Sequence, residues 1–225
     1  MTTAPPEPTL QPPTPTTPHF SPSTPPPTTS TSTSSSTTFP LPPWTSFPPF
    51  YTLQPNLQTR ARQYELWSTL LQTYARHHTL FRLSLSSPPP NLFSNDRLNR
   101  ALKPSDVRAL LDHLSKAENG GVVEWIPPSA PSSSSSGGRA EQSQAVYIWW
   151  RSPGEWADAL YGWVEETGQK GAVLTLYELR EGEAVRGKEW RAMEEGMLRR
   201  VLGVLVKRGK AQVFGLESGE GVKFF

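Results

Sequence analysis

The residue types with the clearest chemical purpose in this chain form the string FPPFY at positions 47–51. Proline holds φ at about −65° and disfavours helical geometry in the residue before it, so the backbone here is expected to be extended. Aromatic rings on such a stiff segment lose little entropy on entering a groove, which suits recognition rather than catalysis. The residues alone leave two interpretations open: the segment packs on its own domain, or it docks on another protein.

Residues for catalysis or metal binding lack the required spacing. The sequence contains no cysteine, which excludes thiol catalysis, thiolate metal sites and disulfides. It has no GxSxG, GxxxxGK[ST], GxGxxG or HExxH motif, and His77, His78 and His113 are not paired as metal ligands are. The carboxylates are scattered over polar segments. The sequence therefore predicts a protein that is not an enzyme and uses no cofactor or metal.

Composition bears on the compartment and on the class of partner. No apolar run approaches the roughly 20 residues of a membrane span, and the first residues lack the basic and apolar regions of a signal peptide. These features predict a cytoplasmic protein. The formal net charge of +2 is too small to indicate a nucleic-acid or membrane partner.

The first 55 residues precede the two predicted domains. Residues 1–40 are rich in Pro, Thr and Ser and contain no Lys or Arg, so they cannot bury enough apolar surface to offset their ordering entropy. This segment is predicted to be a disordered tail. Residues 41–55 carry prolines and aromatic rings and are named the strap.

A first domain is predicted over residues 56–151. Asn56 is a plausible N-cap for a long amphipathic helix, and a shorter helix is expected from Asn95 to Leu102. Pro104 suits the first turn of a third helix. Two strands, Val122 to Ile126 and Ala145 to Trp150, then flank a Pro/Ser/Gly stretch at 127–144 that is predicted to be a disordered loop.

The same order of elements recurs over residues 152–225. A helix follows Ser152-Pro153, a short apolar run and a brief helix follow Gly168, and a third helix ends at Gly209. Two last strands are expected from Ala211 to Phe214 and from Val222 to Phe225. The fold class predicted is α+β, with two tandem winged-helix domains after a disordered tail, and the very short link between the domains favours a fixed arrangement.

A winged helix raises the question of DNA, because its third helix can enter a major groove. In the second domain this helix carries a basic cluster around Arg199 and Arg200, with acidic residues nearby. The cluster is first interpreted as a solvated helix face. An acidic protein partner is the next interpretation, because a nearly neutral domain neutralises few phosphates.

Several strings of the chain are similar to those of a known family. They are FPPFYTLQPN at 47–56, NLFSNDRLNRAL at 91–102, YIWWRSPGEWADALYGWVEETGQ at 147–169, VLTLYEL at 173–179 and GVKFF at 221–225. In order from about Phe47 to Phe225, they closely resemble the small subunit of the ESCRT-II complex, a vacuolar protein-sorting family. The chain looks like a fungal member of that family, with the tail and the serine-rich loop as lineage-specific insertions.

The resemblance implies a non-enzymatic scaffold, present in two copies beside one copy of each of two larger subunits. A Pro-Pro-x-aromatic strap in that family docks in grooves on the larger subunits. The second winged helix recruits an ESCRT-III subunit through that subunit's N-terminal helix. Ubiquitinated membrane proteins are thereby sorted into multivesicular bodies by a cytoplasmic complex recruited to endosomes. The resemblance implies no nucleic-acid partner and only indirect contact with the membrane.

The family motif can be placed on this sequence residue by residue. A second motif before it is a poorer match, because Trp44-Thr45 keeps no tyrosine after the variable position. If the rings of Phe50 and Tyr51 are partner anchors, replacing both by alanine is expected to abolish assembly and to leave the fold intact. The residues assigned to partner contact are Phe47, Pro48, Pro49, Phe50 and Tyr51, with Pro42, Pro43 and Trp44 as the poorer match.

Two other classes of function stay open on the sequence. The string from Pro48 to Tyr51 is also a PPxY motif, the kind of ligand that WW domains of ubiquitin ligases bind, which would make the chain a ligase adaptor. The basic cluster around Arg199 and Arg200 would instead suit a winged-helix DNA-binding regulator.

Overall fold

The computed structural model describes residues 1–2, 39–127, 144–216 and 219–225. The predicted disordered tail falls almost wholly outside the described residues. Most of the predicted loop at 127–144 also falls outside them.

The first domain is built on a long helix, α1 (Leu57–His78). Asn56 caps it as predicted, since its Oδ1 accepts hydrogen bonds from the N–H groups of Gln58 at 3.0 Å and Thr59 at 3.2 Å. The elements that follow α1 are β1 (Arg82–Ser84), β2 (Ser94–Asn95), β3 (Arg100–Ala101), α2 (Pro104–Leu114), β4 (Val123–Trp125) and β5 (Ala145–Ile148). A three-stranded antiparallel sheet of order β1-β5-β4 packs with the helices.

The predicted helix from Asn95 to Leu102 is wrong. In its place β2 and β3 pair around a single 3₁₀ turn at Asp96–Leu98. The Asn95 side chain accepts a hydrogen bond from the Leu98 N–H at 3.3 Å, and Asn99 adopts a φ of 50°. Local bonding by asparagine therefore overrides the helical pattern. The sequence prediction also missed β1, which is only three residues long.

The second domain follows the predicted order closely. Its elements are α3 (Pro153–Glu166), β6 (Val173–Thr175), α4 (Leu176–Glu181), α5 (Glu195–Lys207), β7 (Ala211–Leu216) and β8 (Gly219–Phe224). The antiparallel sheet has the order β6-β8-β7. Helices α3 and α4 begin with capping boxes, Ser152 with Glu155 and Thr175 with Glu178. These bonds hold the pKa of both glutamates below its ordinary value.

Each domain ends in a two-stranded antiparallel hairpin and has a separate apolar core. This arrangement is the α+β, tandem winged-helix fold that the sequence predicted. Residues Phe39–Phe225 nevertheless form one compact unit. The contacts between the two domains explain why.

Aromatic rings join the two cores. Phe81 lies just before β1 in the first domain, but its side chain is buried in the core of the second. The Phe81 ring stacks on Trp150 with centroids 4.5 Å apart, and Trp150 meets Trp156 edge to face at 5.6 Å. Such pairs contribute stability beyond the apolar area that they bury. The domains therefore share apolar packing, as the short link between them predicted.

A carboxylate in the second domain adds polar contacts across the same junction. Glu189 accepts a hydrogen bond from Arg76 Nε at 3.0 Å and another from Trp150 Nε1 at 3.3 Å. It also pairs with Arg151 at 2.5 Å. Since Arg76 is in α1 and the other two groups belong to Trp150 and Arg151 between β5 and the second domain, Glu189 ties three segments together.

We expect the change Glu189→Gln to loosen this junction, because an amide cannot neutralise both guanidinium groups. Glu189 is half-buried, so the free energy of unfolding should fall by only about 1 kcal/mol. Spin labels at Ser105→Cys and Gln212→Cys should show a broader distance distribution. The natural chain contains no cysteine that would compete for the label. Glu65→Gln, which breaks an ion pair within α1, is the matched control, and an unchanged distribution for Glu189→Gln would contradict this role.

Candidate partner-binding site

The strap is folded rather than extended along its length. It forms two 3₁₀ helices, Pro43–Ser46 and Pro48–Tyr51, joined at Phe47. The expected extended geometry is kept only at residues that flank these helices, such as Phe47 with φ −93° and ψ 113°. Proline at the first turn of each helix supplies the required φ and needs no donor there. The expectation that aromatic rings project from a continuous extended strap is therefore wrong.

The inner side of the strap belongs to the core of the first domain. Phe50 and Tyr51 are each 4% exposed. The Phe50 ring stacks on Trp67 of α1 with centroids 4.3 Å apart and an interplanar angle of 13°. Burial raises the pKa of Tyr51, so its phenol is neutral near pH 7. Both rings are therefore part of the apolar core of their own domain.

The two proline motifs have a similar burial pattern, six residues apart. In each, an exposed apolar residue precedes two prolines, and the two residues after the prolines point inwards. Thr45 occupies the place of Tyr51 and is buried, and the Tyr51 hydroxyl donates to the Thr45 carbonyl at 3.2 Å. Aligning the motifs by this six-residue step would have shown that Trp44 corresponds to Phe50.

Side chains of the folded domain hold the strap backbone. Asn95 Nδ2 donates to the Thr45 carbonyl at 3.0 Å. Gln63, which is buried in α1, donates to two strap carbonyls and accepts from a strap N–H. The sequence reasoning missed both residues, because a lone glutamine or asparagine carries no motif.

The outer side of the strap presents apolar groups to solvent. Phe47 is 62% exposed and Leu41 is 44% exposed, and Pro48 and Pro49 are exposed beside them. Large apolar side chains on a proline-stiffened backbone are well suited to entering a partner's pockets. Of the predicted contact residues, Phe47, Pro48 and Pro49 lie together on this side. Phe50, Tyr51 and most of Trp44 lie beneath it.

A second apolar surface lies in the second domain, between α5 and the β7–β8 hairpin. It is a groove of about 480 Å³, with Gly203 and the exposed Val206 on the helix and the exposed Val213 on β7. Lys207 and Glu220 lie at its rim. Gly203 keeps the groove wide, since a side chain at this position would project into open space that the glycine leaves empty.

The basic cluster on α5 is largely paired with carboxylates. Arg199 bonds both Glu195 and Glu220, and Arg200 bonds Glu124 of the first domain. The pKa of Arg199 is raised, mainly through its bond to Glu220. Arg200 thus serves the junction between the domains. Paired arginines have little charge left for phosphates, which weakens the DNA interpretation.

Among the residues that the structure describes, no three His, Asp or Glu side chains are placed together to hold a metal ion. No helix in the described ranges is both long and apolar enough to cross a bilayer.

The fold and the strap define a class of protein: tandem winged helices preceded by a folded proline–aromatic segment. Residues 44–194 match the family model described as "ESCRT-II complex subunit". Vacuolar protein-sorting-associated protein 25 of Xenopus laevis is 36% identical over 185 residues, covering 81% of this chain and 97% of that protein. The Homo sapiens protein of the same name is 35% identical over 185 residues, covering 81% and 96%. The chain belongs to the ESCRT-II subunit family.

Solved structures agree with this assignment. The crystal structure of subunit VPS25 of the endosomal trafficking complex ESCRT-II is similar with a TM-score of 0.69 and 29% identity, covering 82% of this chain and 98% of that one. A VPS22/VPS25/VPS36 complex structure contains a chain similar with a TM-score of 0.67 and 29% identity, covering 81% and 98%. The similarity therefore spans both winged-helix domains.

Proposed function

We propose that this chain is a structural subunit of an ESCRT-II complex and that it docks on the two larger subunits through the outer side of its strap. The observation that carries the proposal is the exposure of Phe47 between Leu41 and the Pro48-Pro49 pair, on a segment whose inner side is anchored. The similar chain in the VPS22/VPS25/VPS36 complex supports larger subunits as the partners.

Phe50 and Tyr51 keep a role in docking, but an indirect one. Both rings would have to leave the core to touch a partner, which would expose Trp67. Their contribution is to hold Phe47, Pro48 and Pro49 in position. The decisive experiment is co-purification of the chain with both larger subunits, using strap variants that spare the core.

The WW-domain alternative needs the tyrosine of the PPxY string to be accessible. Tyr51 is buried, and its hydroxyl donates a hydrogen bond to the Thr45 carbonyl. The folded strap therefore does not offer this ligand. The adaptor interpretation therefore requires local unfolding of the strap before binding. A folded strap favours the subunit interpretation.

We further propose that the second winged helix recruits an ESCRT-III subunit by taking that subunit's N-terminal helix in the groove between α5 and β7–β8. An apolar helix face laid in a groove is a recurring mode of recognition. The groove offers Val206 and Val213 for apolar contact with that helix. Lys207 at the rim is placed to pair with an acidic residue beside the apolar face of the helix.

We expect Val206→Asp to weaken binding of an ESCRT-III N-terminal helix peptide by about tenfold or more, since it places a charge in an apolar contact. Fluorescence anisotropy with the labelled peptide measures the affinity. Val173→Asp, which alters an equally exposed valine on β6, is the control. Equal affinities for the two variants would move the contact away from this groove.

Family membership supports a proposal about the wider setting. We propose two copies of the chain per complex, a cytoplasmic complex recruited to endosomal membranes, and sorting of ubiquitinated membrane proteins into multivesicular bodies. Relatives from Xenopus laevis and Dictyostelium discoideum match the chain, and a fungal origin stays a prediction.

A further inference from the structure

The strap has more carbonyl acceptors than its own backbone can satisfy. Pro48 and Pro49 have no N–H, and each 3₁₀ turn pairs only a few groups, as in the bond from Thr52 N to Pro49 O. Other strap carbonyls accept hydrogen bonds from side chains, as the Thr45 carbonyl does from Asn95 Nδ2 and from the Tyr51 hydroxyl. A strap without partners for them would be loosely held, because buried unpaired carbonyls are costly.

A single side chain of α1 supplies partners for two of these carbonyls and for one N–H of the strap. Gln63 is 5% exposed, and its Nε2 donates to the carbonyls of Phe50 and Thr52, both at 2.9 Å. Its Oε1 accepts a hydrogen bond from the Gln54 N–H at 3.1 Å. The side-chain amide of Gln63 thus uses both N–H donors and its oxygen acceptor in hydrogen bonds to three backbone groups of the strap.

A second glutamine reinforces this arrangement from the solvent side. Gln54 Nε2 donates to the carbonyls of Pro49 at 2.9 Å and Thr52 at 2.8 Å. Thr52 therefore receives bonds from both glutamines. Buried amide networks of this kind specify one backbone conformation when every member is satisfied.

We propose that Gln63 is a positioning residue for partner docking, holding the strap in its binding conformation before the partner arrives. This inference rests on the proposed function of the strap. Gln63 does not touch the partner. It raises the fraction of molecules whose strap is competent to bind, and the apparent dissociation constant is the intrinsic one divided by that fraction.

The test uses the full chain with the two larger subunits. Gln63→Met keeps the size of the side chain and removes all three bonds, and the apparent affinity should fall by about 10-fold or more. Amide hydrogen exchange followed by NMR should accelerate at Thr52 and Gln54 and stay slow in α2. That local signature separates positioning from a general loss of stability.

Two further variants keep the test decisive. Gln72→Met changes a half-buried glutamine of the same helix that bonds only Ser68, and it should alter neither exchange nor affinity. Gln54→Ala removes the solvent-side bonds without touching the core, and it should give a smaller loss in the same direction. Native affinity for Gln63→Met would overturn the inference, whatever the affinity of Gln54→Ala.

The proposed function and this inference can fail separately. If Phe47→Asp leaves assembly unchanged, the outer side of the strap is not the docking surface. If that change weakens assembly and Gln63→Met does not, docking stands and the positioning role falls.

Discussion

Phe47→Asp is expected to abolish co-purification with the two larger ESCRT-II subunits while leaving the chain folded. The ring is 62% exposed, so removing it costs the folded chain little, whereas loss of a central aromatic anchor typically costs an interface about 2 kcal/mol or more. A buried charge in the partner's pocket adds to that loss. The affinity should fall by about 30-fold or more, measured by isothermal titration calorimetry.

Phe225→Asp provides the matched control, because this phenylalanine is also exposed but lies in the second domain. It should assemble like the natural chain. Circular dichroism and urea unfolding should be the same for Phe47→Asp and the unaltered protein. Retention of both larger subunits by Phe47→Asp would refute docking through the outer side of the strap.

Phe50→Ala, unlike Phe47→Asp, is expected to lower the free energy of unfolding of the chain by a large amount. The ring is buried and stacked on Trp67, and phenylalanine-to-alanine changes in cores cost about 3 to 5 kcal/mol. The tryptophan also loses its stacking partner, so its fluorescence should change in the native state. Urea unfolding followed by tryptophan emission measures both effects.

Phe47→Ala, three positions away on the outer side, should leave the unfolding midpoint almost unchanged. If Phe50→Ala unfolded at the same urea concentration as Phe47→Ala, the strap would not be part of the core. The structure thus contradicts one expectation from the sequence, that replacing Phe50 and Tyr51 spares the fold. An assembly defect in that double variant would not by itself identify a contact.

Much of the fold could be predicted because its signals are local. The cap at Asn56, the boxes at Ser152 and Thr175, and the apolar stripe of α5 act within a few residues. The error from Asn95 to Leu102 arose where local polar bonding competes with periodicity. The short strand β1 had too few residues to show a pattern.

The sequence by itself determined most of the elements and the tandem winged-helix fold, since composition and short-range spacing decide these features. Only the tertiary structure decided which side of the strap is exposed. Phe50 meets Trp67 and Gln63 across a chain separation that no local pattern encodes. Arg200 likewise forms an ion pair with Glu124 of the other domain, which its sequence neighbours do not indicate. Contacts between distant residues settle what is buried and what charge remains, and burial and charge determine which surface can bind.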